Sequence, residues 1–398
     1  MNIVTQYPTE LSPRIRVLHV TGQMNHGGAE VMMMELLRNK APSTQIDFLI
    51  HQRPIDDGQK ADFDDEILSL GSQIFTIATP WSTSTLSYVR SFKKLIKQLG
   101  SIDVIHIHLN SKSGVVVLAA WLASIKKIVV HSHAALTFRG SLAYRLAAKG
   151  ELFFTQLLFR QFATDFWGCS GEANKSLFPR WVLKSRKPAI INNAININKY
   201  LAVSEDSSLR LRKTLLQKGT TLLIGNVGRI VRHKKIDFLV DVLIALRDKN
   251  IHATLVIVGR EDHESYVQEI RQKADNNISN NIIFLGSRAD IPDLMSAFDV
   301  FAGPALKEGF GLVAAEAQAA GTPCVLSQGF PKSIDMKLNL VKYCDDYDAQ
   351  VWADAIITSQ ESSKPNSEAI LNSFEKAGFD ARTNTNNIER AYRSKAEI

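Results

Sequence analysis

The 398-residue chain is 45% apolar and 22% charged, ordinary proportions for a soluble globular protein and enough length for about two domains with full cores. Lys and Arg outnumber Asp and Glu by 47 to 40, a formal surplus of +7, yet no recognition motif points to nucleic acid as a partner. Three scattered cysteines, Cys169, Cys324 and Cys344, have neither metal nor disulfide spacing and fit a reducing cytosol.

The first dozen residues are polar, with Pro8 and Pro13, and the first apolar stretch, 15–20, is too short for the core of a secretion signal. From there short β-branched runs alternate with helical patterns, which predicts right-handed βαβ units and parallel sheets. Strands are expected at 15–20, 46–50, 74–78, 104–108, 128–130, 165–169 and 189–191. The longest apolar run, 114–125, falls short of the roughly 18 residues of a membrane span. Between 139 and 187 nine basic residues face three acids, interleaved with Phe153, Phe154, Phe159, Phe162, Phe166, Trp167 and Trp181. Two readings stand for that stretch: a basic aromatic surface that docks on anionic lipid headgroups, or core aromatics under a solvated charged face. Residues 192–218 show no clear strand, carry a charged helix-like patch around 209–217, and read as the linker and the entry to a second domain. A second set of strands follows at 222–227, 253–258, 282–285, 300–302 and 324–326. The expectation is an α/β protein of two doubly wound domains, 1–192 and 219–378, joined by 193–218, with ligands taken in a crevice at the carboxyl ends of the strands.

Chemistry-bearing residues fall at those strand ends. Gly27 and Gly28 sit where the first strand hands over to a helix; they make a plain turn or present backbone N–H groups to an anion. His131 and His133 close the 128–130 strand, and His106 and His108 an earlier one; His106, His108 and His131 read as structural. Gly228 and Arg229 close the 222–227 strand, and Lys234 and Lys235 follow before the next helix. A guanidinium fork and an ammonium there can neutralise a diphosphate, although the run 232–235 also reads as a solvated face.

From Val300 the chain reads VFAGPALKEGFGLVAAEAQAAGTPCVLS. Gly309 and Gly311 permit close backbone approach, the helix after them aims its N–H groups at whatever lies there, and Glu308 and Glu316 flank the turn. The pattern Glu-Gly-Phe-Gly-Leu, three residues, Glu-Ala, then Gly-Thr-Pro resembles the paired-glutamate signature of the family 4 retaining glycosyltransferases. The resemblance extends to Gly-Gly-Ala-Glu after the first strand and to 285–326 with Asn192-Asn193-Ala194-Ile195, where it is most similar to bacterial capsular and exopolysaccharide enzymes.

The resemblance implies a GT-B architecture, with two Rossmann-like domains facing across a cleft, the first on the acceptor side, completed by a terminal helix at 379–398, and the second on the donor side. It implies transfer of a hexosyl or N-acetylhexosaminyl group from a nucleotide-diphosphate sugar to a saccharide or lipid-linked saccharide, without a metal or other cofactor, at the cytoplasmic face of the membrane. Arg229 and Lys234 would stabilise the departing nucleotide, and His133 would contact the transferred sugar. Glu308 would bind donor hydroxyls, the backbone of Gly309, Phe310, Gly311, Leu312 and Val313 the phosphates, and Glu316, placed two turns into its helix, the ribose. The Gly27–Gly28 loop would lie by the donor phosphates, and Ser287 and Arg288 by the base. Lys235 stands where the family usually has Gly, and could share the work of Lys234. Same-fold rivals are a phosphorylase, an epimerase and a non-catalytic partner subunit.

Overall fold

A computed structural model describes residues 15–25, 27–51, 60–134, 136, 138, 140–274 and 278–394. Pro8 and Pro13, His26 ahead of the Gly pair, and Arg139 of the basic stretch lie outside them. The chain divides into two compact units. One comprises the described residues up to Asn193 together with those from Ala381 onward; the other is Ala194–Asp380.

The first unit holds seven parallel strands: β1 (Ile15–Thr21), β2 (Thr44–Ile50), β3 (Ile74–Thr76), β4 (Val104–Ile107), β5 (Lys127–Ser132), β6 (Asp165–Gly168) and β7 (Ala189–Ile190), ordered 3-2-1-4-5-6-7. The second holds six: β8 (Leu222–Val227), β9 (Ala253–Val258), β10 (Ile282–Phe284), β11 (Val300–Gly303), β12 (Cys324–Ser327) and β13 (Val341–Cys344), ordered 10-9-8-11-12-13. All pairs are parallel, so helices must cover both faces and the central strands read as unbroken apolar runs, as in ATLVIV of β9, buried at every position. In each sheet the order reverses once, between β1 and β4 and between β8 and β11. Those are the topological switch points, where crossovers diverge and leave a crevice at the strands' carboxyl ends.

Two features go beyond the sequence reading. Residues 193–218 are not a bare linker: they form the helices Ile197–Leu201 and Glu205–Leu215, which belong to the second unit. Arg212 holds the latter in place by a bidentate pair with Asp299 at 2.9 and 2.8 Å, and Asp299 also accepts from the Leu223 N–H at 2.7 Å. The β13 strand had no counterpart in the sequence reading, because VKYC is a short edge strand with exposed Lys342 between half-buried neighbours.

The helix Ala381–Arg393 packs on the first unit, with Ile388 and Tyr392 buried among Val17, Val104, Val129 and Trp167. No helix among the described residues is long and apolar enough to cross a membrane.

Candidate functional site

At the β8–β11 switch point the structure gathers most of the expected donor-side residues. Gly228 leaves β8 with φ +142, a backbone region that side chains rarely adopt, and a Cβ there would stand 3.7 Å from the Lys234 ammonium. Lys234 ends the 3₁₀ turn Arg232–Lys234 and pairs with Glu308, both side chains largely buried. Two backbone bonds brace this pair: the Leu306 N–H donates to His233 O at 2.8 Å and the Glu308 N–H to Gly329 O at 2.9 Å. The loop after β11 is thus tied to the turn after β8. Arg229, half-exposed, reaches Asp262 at 3.3 Å. Arg260, hydrogen-bonded to Asp262 at 2.5 Å, and Arg229 beside it hold that carboxyl below the usual carboxylate range.

The turn after Glu308 divides its work between backbone and side chains. A Cβ at Gly309 would meet nothing within 4 Å, whereas one at Gly311, where φ is +80, would lie 2.5 Å from the Phe330 ring. Gly311 caps the helix Leu312–Ala319 without a side-chain hydrogen bond, so its first-turn N–H groups have no side chain on them. Phe310 is buried and stacks on Phe379 at 4.9 Å between centroids, and Leu312 and Val313 pack on the core. The Phe310 ring is thus committed to the core, while Leu312 and Val313 stay partly exposed. Glu316 is half-buried just over one turn into the helix, not two.

Lys235 caps the Arg232–Lys234 turn. It adopts a left-handed conformation, φ +52, which explains why glycine suits the position, and its ammonium lies 4.8 Å above the Tyr347 ring. Ser287 and Arg288 follow β10 and are exposed, with Arg288 forked onto Asp290 at 2.8 and 2.6 Å. The Gly286 carbonyl accepts from the Gly259 N–H at 2.8 Å, which ties the loop after β10 to that after β9. A cavity of about 350 Å³ lined by Leu243, Arg247, Ile251 and Ala253 lies at the other end of β9 and touches none of these residues.

The first unit presents a different surface at its β1–β4 switch point. Side chains alternate along a strand, so Val17 and His19, Val104, His106 and His108, and Val129, His131 and His133 share one face, with the imidazoles toward the carboxyl ends. His19, His106 and His131 are wholly buried. Burial holds the cluster neutral: desolvation lowers His19 and His133 to about 3 and drives His106, His108 and His131 well below the ordinary value, with neighbouring imidazoles adding to the shift in all but His133. His133 bonds through Nε2 to His108 Nδ1 at 2.7 Å. His19 and Tyr392, which the sequence reading passed over, complete the cluster. The signal was present in the parity of the His-x-His pairs, but a strand-end histidine alone carries no such message. Gly27 caps the helix Gly28–Asn39, again without a side-chain bond.

Two family models match the chain, "Glycosyltransferase Family 4" over residues 26–199 and "Glycosyl transferases group 1" over 221–361. EpsF of Bacillus subtilis, which bears the name of a glycosyltransferase, is 30% identical over 97% of this chain and 98% of its own. The chain belongs to glycosyltransferase family 4. An Escherichia coli relative of this family 4 glycosyltransferase is named UDP-Gal:alpha-D-GlcNAc-diphosphoundecaprenol alpha-1,3-galactosyltransferase and is 24% identical over 65% of this chain and 67% of its own. Among solved structures, HepE of Anabaena in complex with UDP and glucose superimposes with TM-score 0.74 at 21% identity, covering 96% of this chain and all of the other. That likeness shows the fold: this is a GT-B glycosyltransferase, and retaining transfer is the course of its family.

Proposed function

We propose that this enzyme moves a hexosyl or N-acetylhexosaminyl group from a nucleotide-diphosphate sugar to a lipid-linked saccharide in cell-surface polysaccharide synthesis, without a metal. The observation that supports it most is the pairing of Lys234 with Glu308 beside Gly228 and Arg229 at a switch point. A diphosphate drawn to the helix N-terminus at Gly311 would take the charge of Lys234 and Arg229, releasing Glu308 to accept hydrogen bonds from sugar hydroxyls and leaving Glu316 for the ribose. Exchange of an internal ion pair for a ligand contact avoids leaving either charge unpartnered. His133 hydrogen-bonds the transferred sugar as a neutral imidazole. The departing diphosphate supplies the base for the incoming hydroxyl, on the same face of the ring.

The lipid-linked acceptor draws on the Escherichia coli relative's substrate and on a surface of the first unit. On the helix Leu142–Phe162, Leu142, Leu146, Phe153 and Leu157 are 69, 60, 58 and 45% exposed and form one stripe at helical spacing that also carries exposed Lys149 and Arg160. The opposite stripe, Ala148, Thr155 and Phe159, is buried. The aromatic stretch is therefore divided: Phe159, Phe166 and Trp167 are core, while Phe153 and Phe154 are outside. An apolar stripe with basic neighbours suits an anionic bilayer surface.

A thermal-shift panel of UDP-, GDP- and ADP-sugars tests the donor reading: the true donor at a hundredfold excess over its Kd should stabilise by about 2.7 kcal/mol. Absence of binding by any nucleoside diphosphate would overturn it. Flotation with phosphatidylglycerol vesicles tests the surface, and Phe153→Ser with Phe154→Ser should abolish co-flotation.

A further inference from the structure

The buried imidazoles of the first unit form one unbroken chain of hydrogen bonds. His133 Nε2 meets His108 Nδ1 at 2.7 Å, His108 Nε2 meets His19 Nδ1 at 2.8 Å, and His19 Nε2 meets the Tyr392 hydroxyl at 3.3 Å. The same hydroxyl meets His106 Nδ1 at 2.6 Å, and His106 Nε2 meets His131 Nδ1 at 3.1 Å. Both ends, His133 Nδ1 and His131 Nε2, are buried and have no hydrogen-bond partner among the described residues.

A neutral imidazole has one N–H and one lone pair, so it can pass a hydrogen bond on in only one direction. Each contact needs one donor and one acceptor. If His133 donates from Nε2, His108 must accept at Nδ1 and donate from Nε2, and the same constraint carries through His19 to the tyrosine hydroxyl, which passes it on to His106 and His131 when it donates its own proton there. If the direction is reversed, every ring carries its proton on Nδ1 instead. With the phenol donating into the chain all five rings share a tautomer; with the phenol accepting from both His19 and His106, the two arms differ, but His133, His108 and His19 still share one. One proton is always left over, at an end of the chain or on the phenol, and an unpaired buried donor is costly. A fold that keeps such a cost beside a strand end expected to meet substrate is holding a polarity in place.

We propose that His108, His19 and Tyr392 are positioning residues that fix the tautomer of His133, with the phenol of the Ala381–Arg393 helix as the link on which the setting depends. This deepens the role given to His133 above and rests on it only for its effect on rate. A metal centre on the same rings fits less well. Two imidazole nitrogens on tetrahedral zinc, each about 2.0 to 2.1 Å from the ion, stand roughly 3.3 Å apart, whereas these face each other at 2.7 and 2.8 Å.

Long-range ¹H–¹⁵N correlation spectra of the ¹⁵N-histidine-labelled enzyme read the tautomer of each ring directly. The expected result is one tautomer shared by His133, His108 and His19, and one shared by His106 and His131; a mixed set within either arm of the wild-type protein overturns the chain, and no variant is needed to see it. Stoichiometric zinc in the purified protein by elemental analysis would overturn it also. Tyr392→Phe removes only the linking hydroxyl. It should turn the His133 signal into a mixture of tautomers and lower kcat at least about tenfold while KM for the donor stays within about twofold. A His133 spectrum unchanged in Tyr392→Phe overturns the proposal. A changed spectrum with unchanged kcat supports the chain and instead sinks the part that His133 plays in transfer.

Discussion

At the switch point of the first sheet the strand ends carry neutral imidazoles sealed from water, while at that of the second they carry Arg229, Lys234, Glu308 and Asp262, partly open and paired by sign. The two sheets share the order 3-2-1-4-5-6 over their first six strands, so topology does not choose between these chemistries. Burial does. All the histidines whose pKa is lowered lie in the first unit, and His233, His252 and His263 of the second are exposed. Groups that cannot reach water hold their function only as neutral donors and acceptors, whereas charges need either water or each other.

Acid should separate the two units most sharply. The five clustered histidines titrate lower in the folded state than unfolded, and His51, lowered to about 4 by burial, behaves likewise. Between those values and about 6.5 the unfolded chain binds protons that the folded one refuses. The stability they confer is therefore complete above about pH 6.5 and lost as pH falls, by about 1.4 kcal/mol per imidazole per pH unit. Five together would exceed the stability of a typical domain within about two units. Thermal unfolding followed by proteolysis and fragment mapping at pH 7 and pH 5 should show the first unit failing early at pH 5 while 194–380 resists. Loss of both together would break the contrast.

In the second unit the charges should matter for rate more than for folding. Lys234→Ala should lower kcat about 10²- to 10³-fold, the loss expected for a donor aimed at developing charge, and it also destabilises the second unit by leaving the Glu308 carboxylate unpaired, so the comparison variant is Lys234→Met with Glu308→Gln, which should lose the activity with a smaller loss of stability. A smaller cost in activity, with a large one in stability, would make the pair merely structural.

How much of this could be read beforehand depends on the range of the interaction. Twelve of the thirteen strands, the Gly228–Lys234 turn and the Glu308–Glu316 segment were legible, because each is written within a few residues of continuous chain. Tyr392 and His19 are 373 positions apart and meet only through the fold, so no spacing betrays them. Phe310 shows a different limit: the motif assigns its backbone to the phosphates and says nothing of its ring, which the fold stacks on Phe379 in the core.

Two glycine-type positions refine the contrast further. Gly311→Ala combines a left-handed backbone with a Cβ 2.5 Å from Phe330, and should destabilise the second unit by about 2 to 4 kcal/mol in urea titration, leaving the first unit's transition in place. Lys235→Gly should do the reverse on a small scale. Relief of the left-handed strain, about 1 to 2 kcal/mol, exceeds the roughly 0.5 to 1 kcal/mol of the contact with Tyr347, so the midpoint should rise slightly.

The helix Ala381–Arg393 has a consequence for synthesis. Because it is translated after everything from Ala194 to Asp380, the ribosome delivers the whole second unit while the first still lacks the helix that covers Val17, Val104 and Val129. During that interval an apolar sheet face stands uncovered, and the two arms of the imidazole chain lack the Tyr392 hydroxyl that joins them. Lys127, whose ammonium is later bonded to Ala391 O and Ser394 O, lacks those partners until the covering segment arrives. Nascent chains stalled before residue 381 should therefore be the ones that chaperones hold.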